Sequence, residues 1–210
     1  MFKFFLLLSA LAGLAGLAVP AQGQTIRYGL KAGVSLARLT NFGTTNVRNQ
    51  LGATAGLIAD VSLSEKLALH PELLFSHQGL RTEDTGPGGF SSSLQFRVNY
   101  LDLPVLLRLR AGSFFAEAGP QAGYLLTAKN TETRGSSTVP TTTVTRTGTA
   151  GLRRLDLGYV LGIGYQLRGH WELGARYNGG ILGFYSGNYY SGQPRNSVFQ
   201  FQAGYLFGGE

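Results

Sequence analysis

Nine charged residues recur at matching positions of alternating polar and apolar segments, where they could act together on protons or ions. Side chains two residues apart in a β-strand point to the same side. Charged residues of one parity, meaning all odd-numbered or all even-numbered within a strand, therefore lie on one face. The nine are Lys31, Asp60, Glu72, Asp102, Arg108, Glu117, Asp156, Glu172 and Arg176. One hypothesis is a proton or ion pathway, and the other is a structural network of paired ions. Because an unpaired buried charge costs several kcal/mol, the sequence favours the paired network.

The histidines, glycine motifs and serines of the sequence do not predict a metal, phosphate-binding or catalytic site. His70 and His77 differ in parity within one segment, so they face opposite sides and cannot share a metal ion. Gly162 and Gly164 resemble part of a phosphate-binding loop, but they lie inside an alternating segment and open no helix. The sequence contains no Gly-x-Ser-x-Gly motif. We therefore predict no catalytic, cofactor-binding or metal-binding residues and no cofactor.

The elements that must position these charges show strict period-two alternation, the pattern of β-strands with two different faces. In the clearest segment, Leu155, Leu157 and Leu161 alternate with residues such as Asp156 and Gly162. The eight segments span residues 27–37, 50–63, 67–79, 96–109, 113–127, 154–168, 171–178 and 197–207. The sequence therefore predicts an all-β fold of eight antiparallel strands.

The connections between the segments alternate in length. Short connections fall at residues 64–66, 110–112 and 168–170, and long ones at 38–49, 80–95, 128–153 and 179–196. Short turns at one end and long loops at the other are typical of outer-membrane barrels. We predict an eight-stranded up-and-down transmembrane β-barrel over residues 24–210, in the outer membrane of a Gram-negative bacterium.

The acidic residues indicate which face is the interior. Six of the 11 acidic residues lie on the less apolar face of the segments, and the other five lie in turns, loops or at the C-terminus. That face is also rich in glycine, which suits the crowded interior of an eight-stranded barrel. We therefore expect the polar face to line the lumen and the apolar face to meet lipid.

The N-terminus has the pattern of a cleaved signal peptide over residues 1–23. Lys3 precedes an apolar stretch from Phe4 to Val19, and Ala21 and Gly23 provide a small-x-small cleavage pattern. The apolar stretch is shorter than the ~20 residues that a membrane-spanning helix needs. The chain has no cysteine, which excludes disulfides and a lipid-modified cysteine.

The composition is not typical of soluble proteins or of nucleic-acid-binding proteins. Only 14% of its residues are charged, against ~25% in typical soluble domains. The net charge is +7, but the arginines are scattered, with no basic helix or patch interleaved with aromatic residues. We therefore expect no nucleic-acid partner.

Four stretches resemble the PorT-like outer-membrane β-barrel family. They are residues 29–36 (GLKAGVSL), 100–107 (YLDLPVLL), 115–120 (FAEAGP) and 155–165 (LDLGYVLGIGY). The resemblance covers essentially the whole mature chain and implies an eight-stranded outer-membrane barrel. It implies neither the founding member's role in type IX secretion nor any catalytic residue.

The long loops are the candidate partner-binding segments. Residues 128–153 are rich in threonine and could project as a hairpin, bind an envelope protein by strand addition, or do both. Residues 179–196 form a second candidate. Cations of the long loops could contact the phosphates of lipopolysaccharide; these are Arg38, Arg48, Arg81, Lys129, Arg134, Arg146, Arg153 and Arg195. The leading hypothesis is a non-enzymatic barrel with a structural or loop-mediated role in the envelope. The alternatives are a narrow channel or transporter component and a lipid A-modifying enzyme.

Overall fold

The computed structural model describes residues 25–40, 47–86, 89–136, 138–167, 170–183 and 195–208. In these ranges the regular elements are β1 (Ile26–Thr40), β2 (Val47–Ser62), β3 (Leu67–Gly86), β4 (Phe90–Ala111), β5 (Phe114–Gly135), β6 (Thr142–Thr147), β7 (Leu155–Leu167), β8 (Trp171–Gly180) and β9 (Arg195–Phe207). No helix in these ranges is long and apolar enough to cross a membrane. The predicted signal peptide, residues 1–23, lies outside the described residues.

Eight of these strands close into a ring. Antiparallel neighbours follow the chain from β1 to β5, β5 then pairs with β7, and β8 and β9 complete the circuit. The ring closes between β9 and β1, from Phe207 opposite Tyr28 to Arg195 opposite Thr40. The remaining strand, β6, pairs with the far part of β5. The predicted eight-stranded antiparallel barrel is confirmed.

The outer surface of the ring is apolar and its interior is largely polar. On β7, Leu161 and Ile163 have more than half of their surface exposed, whereas Gly162 between them lies on the inner face. Large apolar side chains point outward in this way on each of the eight ring strands. A closed ring pairs its backbone amides and carbonyls internally, so an apolar exterior of this kind can lie in hydrocarbon. The outward orientation of the apolar face agrees with the sequence prediction.

Two aromatic bands border the apolar surface. Near the short turns, Tyr205 packs edge to face with Trp171 and Phe207, at centroid distances of 5.0 and 5.2 Å. Nearer the other end, Tyr177 packs against Phe199 at 5.0 Å. Along β9, Phe199 and Phe207 are eight residues apart, which is about 27 Å at ~3.4 Å per residue. This spacing along a tilted strand is of the order of the ~25 Å apolar band of outer-membrane barrels.

The two ends of the ring differ. At the short-turn end, residues 63–66 join β2 to β3 and residues 112–113 join β4 to β5. The opposite end, here called the mouth, carries the other connections, including those from β1 to β2, from β3 to β4 and from β8 to β9. The prediction of a long loop at residues 80–95 is wrong, because β3 and β4 continue as a paired hairpin to Gly86 and from Phe90. Outside the bilayer both faces of a strand contact water, so the hairpin continues without the alternation that marks the spanning part.

The threonine-rich segment 128–153 also contains regular structure. β5 continues past the ring to Gly135, and β6 returns alongside it, with Thr147 opposite Lys129 and Thr142 opposite Arg134. Residues 148–154 then lead back to β7, so the returning strand is separate from the ring strand. The predicted projecting hairpin is present, and with β3 and β4 it forms a four-stranded sheet at the mouth.

A β-bulge reverses the inward parity of β5. Asn99 of β4 pairs with Thr127, but the next residue, Tyr100, pairs with Leu125, so Leu126 is the extra residue. Odd-numbered residues of β5 face inward up to Leu125, and Ala128 faces inward beyond the bulge. A buried apolar cluster forms at this level; it consists of Val98, Tyr100, Leu125 and Ala128.

Candidate functional site

Glycines alternate with long charged side chains in cross-strand rows on the inner face. One row places Arg108, Glu117, Gly162 and Arg176 opposite one another on β4, β5, β7 and β8. A Cβ atom on Gly162 would lie 2.9 Å from Glu117 Cγ, closer than carbon atoms normally approach. Gly162 therefore leaves the space into which the Glu117 side chain extends.

A second row has the same construction. Gly204 on β9 lies between Lys31 on β1 and Glu172 on β8. A Cβ atom on Gly204 would lie 2.8 Å from Glu172 Cγ. In an interior only wide enough for side chains to fill, these glycines let oppositely charged side chains meet across the lumen.

Seven of the nine predicted charges form one buried network, here called the lumen ion cluster. Its members are Lys31, Asp60, Glu72, Arg108, Glu117, Glu172 and Arg176. Arg108 Nη1 lies 2.7 Å from Glu172 Oε2, and its Nη2 lies 2.8 Å from Glu117 Oε2. The Phe115 ring lies 4.0 Å from the guanidinium carbon of Arg108, a cation–π contact. Arg108 therefore joins two buried carboxylates.

Glu72 joins the other two cations of the cluster. Lys31 Nζ lies 2.5 Å from Glu72 Oε1, and Arg176 Nη1 lies 2.7 Å from Glu72 Oε2. Lys31 Nζ also lies 3.4 Å from Glu172 Oε1, and Arg176 Nε donates a hydrogen bond to Gln200 Oε1 at 2.7 Å. Each cation in the cluster thus contacts a carboxylate, and this pairing offsets the cost of removing the charges from water.

Asp60 extends the cluster toward the short turns. It pairs with Arg110, and its carboxylate oxygens lie 3.5 Å from Arg27 Nη2 and 3.5 Å from Arg108 Nη1. Arg27 and Arg110 were not among the nine predicted members of the network. Both have the inward parity of their strands and lie close to a strand end. Their parity is therefore the signal in the sequence that places them on the inner face.

His70 is a further member of this region and was not among the predicted charges. The fully buried ring lies between two carboxylates, with Nδ1 3.5 Å from Asp60 Oδ2 and Nε2 3.4 Å from Glu72 Oε1. In the described part of the chain, His70, Glu72 and Glu117 offer metal-ligand atoms within 4.8 Å of one another. Both glutamates already contact cations of the lumen ion cluster, so a divalent ion would add positive charge where the carboxylates are compensated. The geometry favours ion pairing over metal binding at this place.

Asp102 and Asp156 lie apart from the lumen ion cluster, nearer the mouth. Each is a direct cross-strand neighbour of Gly123. Asp156 Oδ2 accepts a hydrogen bond from Asn196 Nδ2 at 2.7 Å. The nine predicted charges therefore lie in two places within the lumen, a charge-paired cluster and a separate polar cavity.

Part of the interior is apolar, contrary to the prediction of a polar inner face. Buried side chains on the inner face include Ile58, Leu74, Leu106, Val160 and Leu206. These residues have the inward parity of their strands, so the sequence places them on the inner face although that face is mostly polar. These apolar side chains fill lumen volume without requiring hydrogen-bond partners.

A sequence model of the outer membrane protein beta-barrel domain matches residues 21–186. The chain belongs to this family. The family and the closed ring with an apolar exterior agree on location, so the predicted outer-membrane localisation is confirmed. The narrower PorT-like assignment stays a prediction.

Several solved outer-membrane proteins are similar to this barrel at low sequence identity. Ail, the attachment invasion locus protein of Yersinia pestis, is 12% identical over 87% of this chain and 99% of Ail, with a TM-score of 0.45. Neisserial surface protein A is 11% identical over 89% of this chain and 100% of its own, with a TM-score of 0.48. OprG from Pseudomonas aeruginosa is 14% identical over 89% of this chain and 96% of OprG, with a TM-score of 0.35. No curated protein sequence matches the chain.

Proposed function

We propose that this outer-membrane barrel acts without catalysis and presents its projecting β-sheet to a protein partner in the cell envelope. The observation that carries the proposal is the sheet at the mouth, in which β6 is the last strand and pairs with β5 alone among the described strands. All six residues of β6 are exposed. An unpaired strand edge is a template on which another extended segment can add.

The hydrogen-bond pattern shows which β6 amides such a partner would use. Gly148 N donates to Ala128 O at 3.0 Å, so these residues form a hydrogen-bonded pair. Hydrogen-bonded pairs recur at every second residue of an antiparallel ladder, so the amide of Arg146 also points toward β5. The amides of Thr143 and Thr145 then point away from β5, toward the outer edge. The partner is therefore expected to be an extended peptide segment that pairs with this edge.

Cations near the same sheet make lipopolysaccharide phosphates a second candidate ligand. Lys129 and Arg146 are exposed, whereas the exposed Arg134 pairs with Glu132. Of the other predicted cations, Arg38, Arg48 and Arg81 have side chains outside the described residues. Much of the second predicted partner segment, residues 184–194, also lies outside them. Arginine and lysine form charge-assisted hydrogen bonds with phosphate, which is the chemistry that this candidate needs.

Two variants at one position test the strand-edge proposal. Thr145→Pro removes an outward-pointing amide without taking a donor from the β5–β6 ladder, since proline is tolerated on an edge strand. Thr145→Val removes the hydroxyl but keeps the amide, and it is the matched control. After cross-linking in intact cells, we expect wild type and Thr145→Val to retain the same envelope protein and Thr145→Pro to lose it. Equal retention by all three would contradict binding at this edge.

Purified protein tests the enzymatic alternative. Purified barrel in bilayers is incubated with lipid A, whose mass is then measured. An unchanged mass is expected under the proposal. A change in acyl chains or phosphates that requires folded protein would support the lipid A-modifying enzyme instead.

A further inference from the structure

A small polar cavity lies inside the barrel near the mouth, and we call it the mouth cavity. It has a volume of about 20 Å³, enough for a single water-sized occupant, which needs ~10–15 Å³. Its wall includes Tyr100, Asp102, Gln121, Asp156, Asn178 and Asn196. The lining is therefore rich in carboxylate and amide oxygen atoms.

The two acids of the mouth cavity are less well compensated than those of the lumen ion cluster, because the charge of Arg176 acts on Asp102 but the Arg176 guanidinium forms its ion pair with Glu72. Among the residues that the structure describes, no lysine or arginine forms an ion pair with Asp102 or Asp156 within 4.0 Å. Arg176, two residues before Asn178 on β8, is instead engaged by Glu72 and Gln200. Asp102 is only 4% exposed. Asp156 is partly buried. A buried and a partly buried carboxylate side by side, with no ion pair of their own, are unfavourable unless a ligand or a proton supplies positive charge.

Gly123 brings the two acids to one void. It lies opposite Asp102 on one side and opposite Asp156 on the other. A Cβ atom on Gly123 would lie 2.7 Å from Asp102 Oδ1 and 3.6 Å from Asp156 Cβ. Both acids therefore border the space that the missing side chain leaves open.

An independent observation concerns Asn178, which lines the same cavity and is 7% exposed. Its amide nitrogen donates a hydrogen bond to Gln121 Oε1 at 2.8 Å. Its carbonyl oxygen, Oδ1, is buried and has no hydrogen-bond partner. An unpartnered buried carbonyl oxygen is costly and is suited to accept from water or to bind a cation.

We propose that the mouth cavity binds one divalent cation of the calcium type, held by the carboxylates of Asp102 and Asp156 and by Oδ1 of Asn178. Calcium prefers carboxylate, amide and water oxygens and tolerates irregular geometry, which this donor set provides. The cavity wall offers neither histidine nor cysteine, the ligands that zinc sites commonly use. This site is independent of the β6 edge, so either proposal can fail without the other.

Terbium luminescence tests the site directly, since Tb³⁺ is a calcium surrogate that receives energy from nearby tyrosine. Tyr100 and Tyr159 both line the cavity. The whole barrel is refolded in zwitterionic detergent without lipopolysaccharide, titrated with Tb³⁺ under tyrosine excitation, and back-titrated with Ca²⁺. We expect saturation at one ion per chain and displacement by Ca²⁺. Emission that Ca²⁺ cannot displace would overturn the proposal.

Variants separate this site from other carboxylates. Loss of a residue that only orients a metal ligand typically weakens metal binding about tenfold or more. Asp102 and Asp156 would contact the ion directly, so we expect Asp102→Asn and Asp156→Asn to weaken Tb³⁺ binding at least that much. Glu65→Gln, at an exposed short turn, is the matched control and should bind like wild type. Equal affinity of wild type and both aspartate variants would overturn the proposal.

Stability distinguishes a ligand site from a purely structural role. In chelator, both asparagine variants should be at least as stable as wild type, because each removes a negative charge that forms no ion pair from beside a second carboxylate. In Ca²⁺, wild type should gain stability by mass action and the variants should not. Variants that are less stable than wild type in chelator, with no Ca²⁺ effect on wild type, would show that the acids act only within the fold.

Discussion

At the residue scale, Arg108 contacts three carboxylates of the lumen ion cluster. Its guanidinium lies 2.7 Å from Glu172, 2.8 Å from Glu117 and 3.5 Å from Asp60, and the Phe115 ring covers it. The planar guanidinium can donate in several directions at once, which a lysine ammonium at the same place would do less well. The carboxylates around Arg108 depend on it for compensation.

Replacing Arg108 should therefore destabilise the barrel strongly. Arg108→Met keeps much of the aliphatic volume but leaves buried carboxylates under-compensated, a change that typically costs about 3–5 kcal/mol. Arg134→Met is the matched control, because Arg134 also pairs with a glutamate but its side chain is 65% exposed. We expect the control to lose less than about 1 kcal/mol. Urea unfolding in lipid bilayers measures both, and equal midpoints would argue against a tightly coupled ion cluster.

At the element scale, a ring strand must satisfy two environments at once. β7 presents Leu161 and Ile163 to lipid, while Gly162 makes room for Glu117 inside. Successive residues thus meet hydrocarbon and a crowded polar lumen, and a shift of one residue in register would exchange the two. The projecting strand β6 is under neither constraint, and all of it is exposed.

The different surroundings of β7 and β6 predict different effects of the same substitution. Leu161→Arg places a charge on the lipid-facing surface of β7, where such a change costs about 2–4 kcal/mol near the bilayer midplane. Val144→Arg makes a similar exchange on β6, whose exposed position outside the ring should make it nearly neutral. Folding yield into bilayers, read from the heat-modifiable shift on gels, compares the two. If Leu161→Arg folds as well as Val144→Arg, the assignment of the lipid face is wrong.

At the scale of the whole molecule, side chains fill the lumen at the level of the lumen ion cluster. Another cavity, lined by Lys31, Glu117 and Glu172, measures only about 10 Å³. Ions that crossed the barrel would have to displace paired side chains from strands on opposite sides of the ring. The interior of an eight-stranded barrel is in general wide enough for side chains alone.

Wild-type protein in planar bilayers should consequently show no stable porin-like conductance. A wide trimeric porin added to the same membrane serves as the positive control for the measurement. Reproducible single-channel steps from the purified barrel would support the channel alternative and would mean that the lumen ion cluster opens. Their absence would support a role carried out by the mouth and its sheet.

The sequence by itself determined the ring and the orientation of its faces. A spanning strand has lipid on one side and the lumen on the other, so its residues alternate between apolar and polar types. Segments such as 154–168 therefore predicted both a strand and its outward face. The continuation of β3 to Gly86 and the strand β6 were not predictable in this way, because water on both faces of a strand imposes no alternation.

Only the tertiary structure decided which inward charges meet. Parity places a residue on the inner face, but its height in the lumen depends on the stagger of the strands and on irregularities such as the bulge at Leu126. Lys31 and Glu72 come together from separate strands across the interior, whereas Asp102 and Asp156 remain in another cavity beside Gly123. The stagger of neighbouring strands therefore decides which charges are paired. The spacing of residues along the chain does not specify how high each strand lies relative to the others.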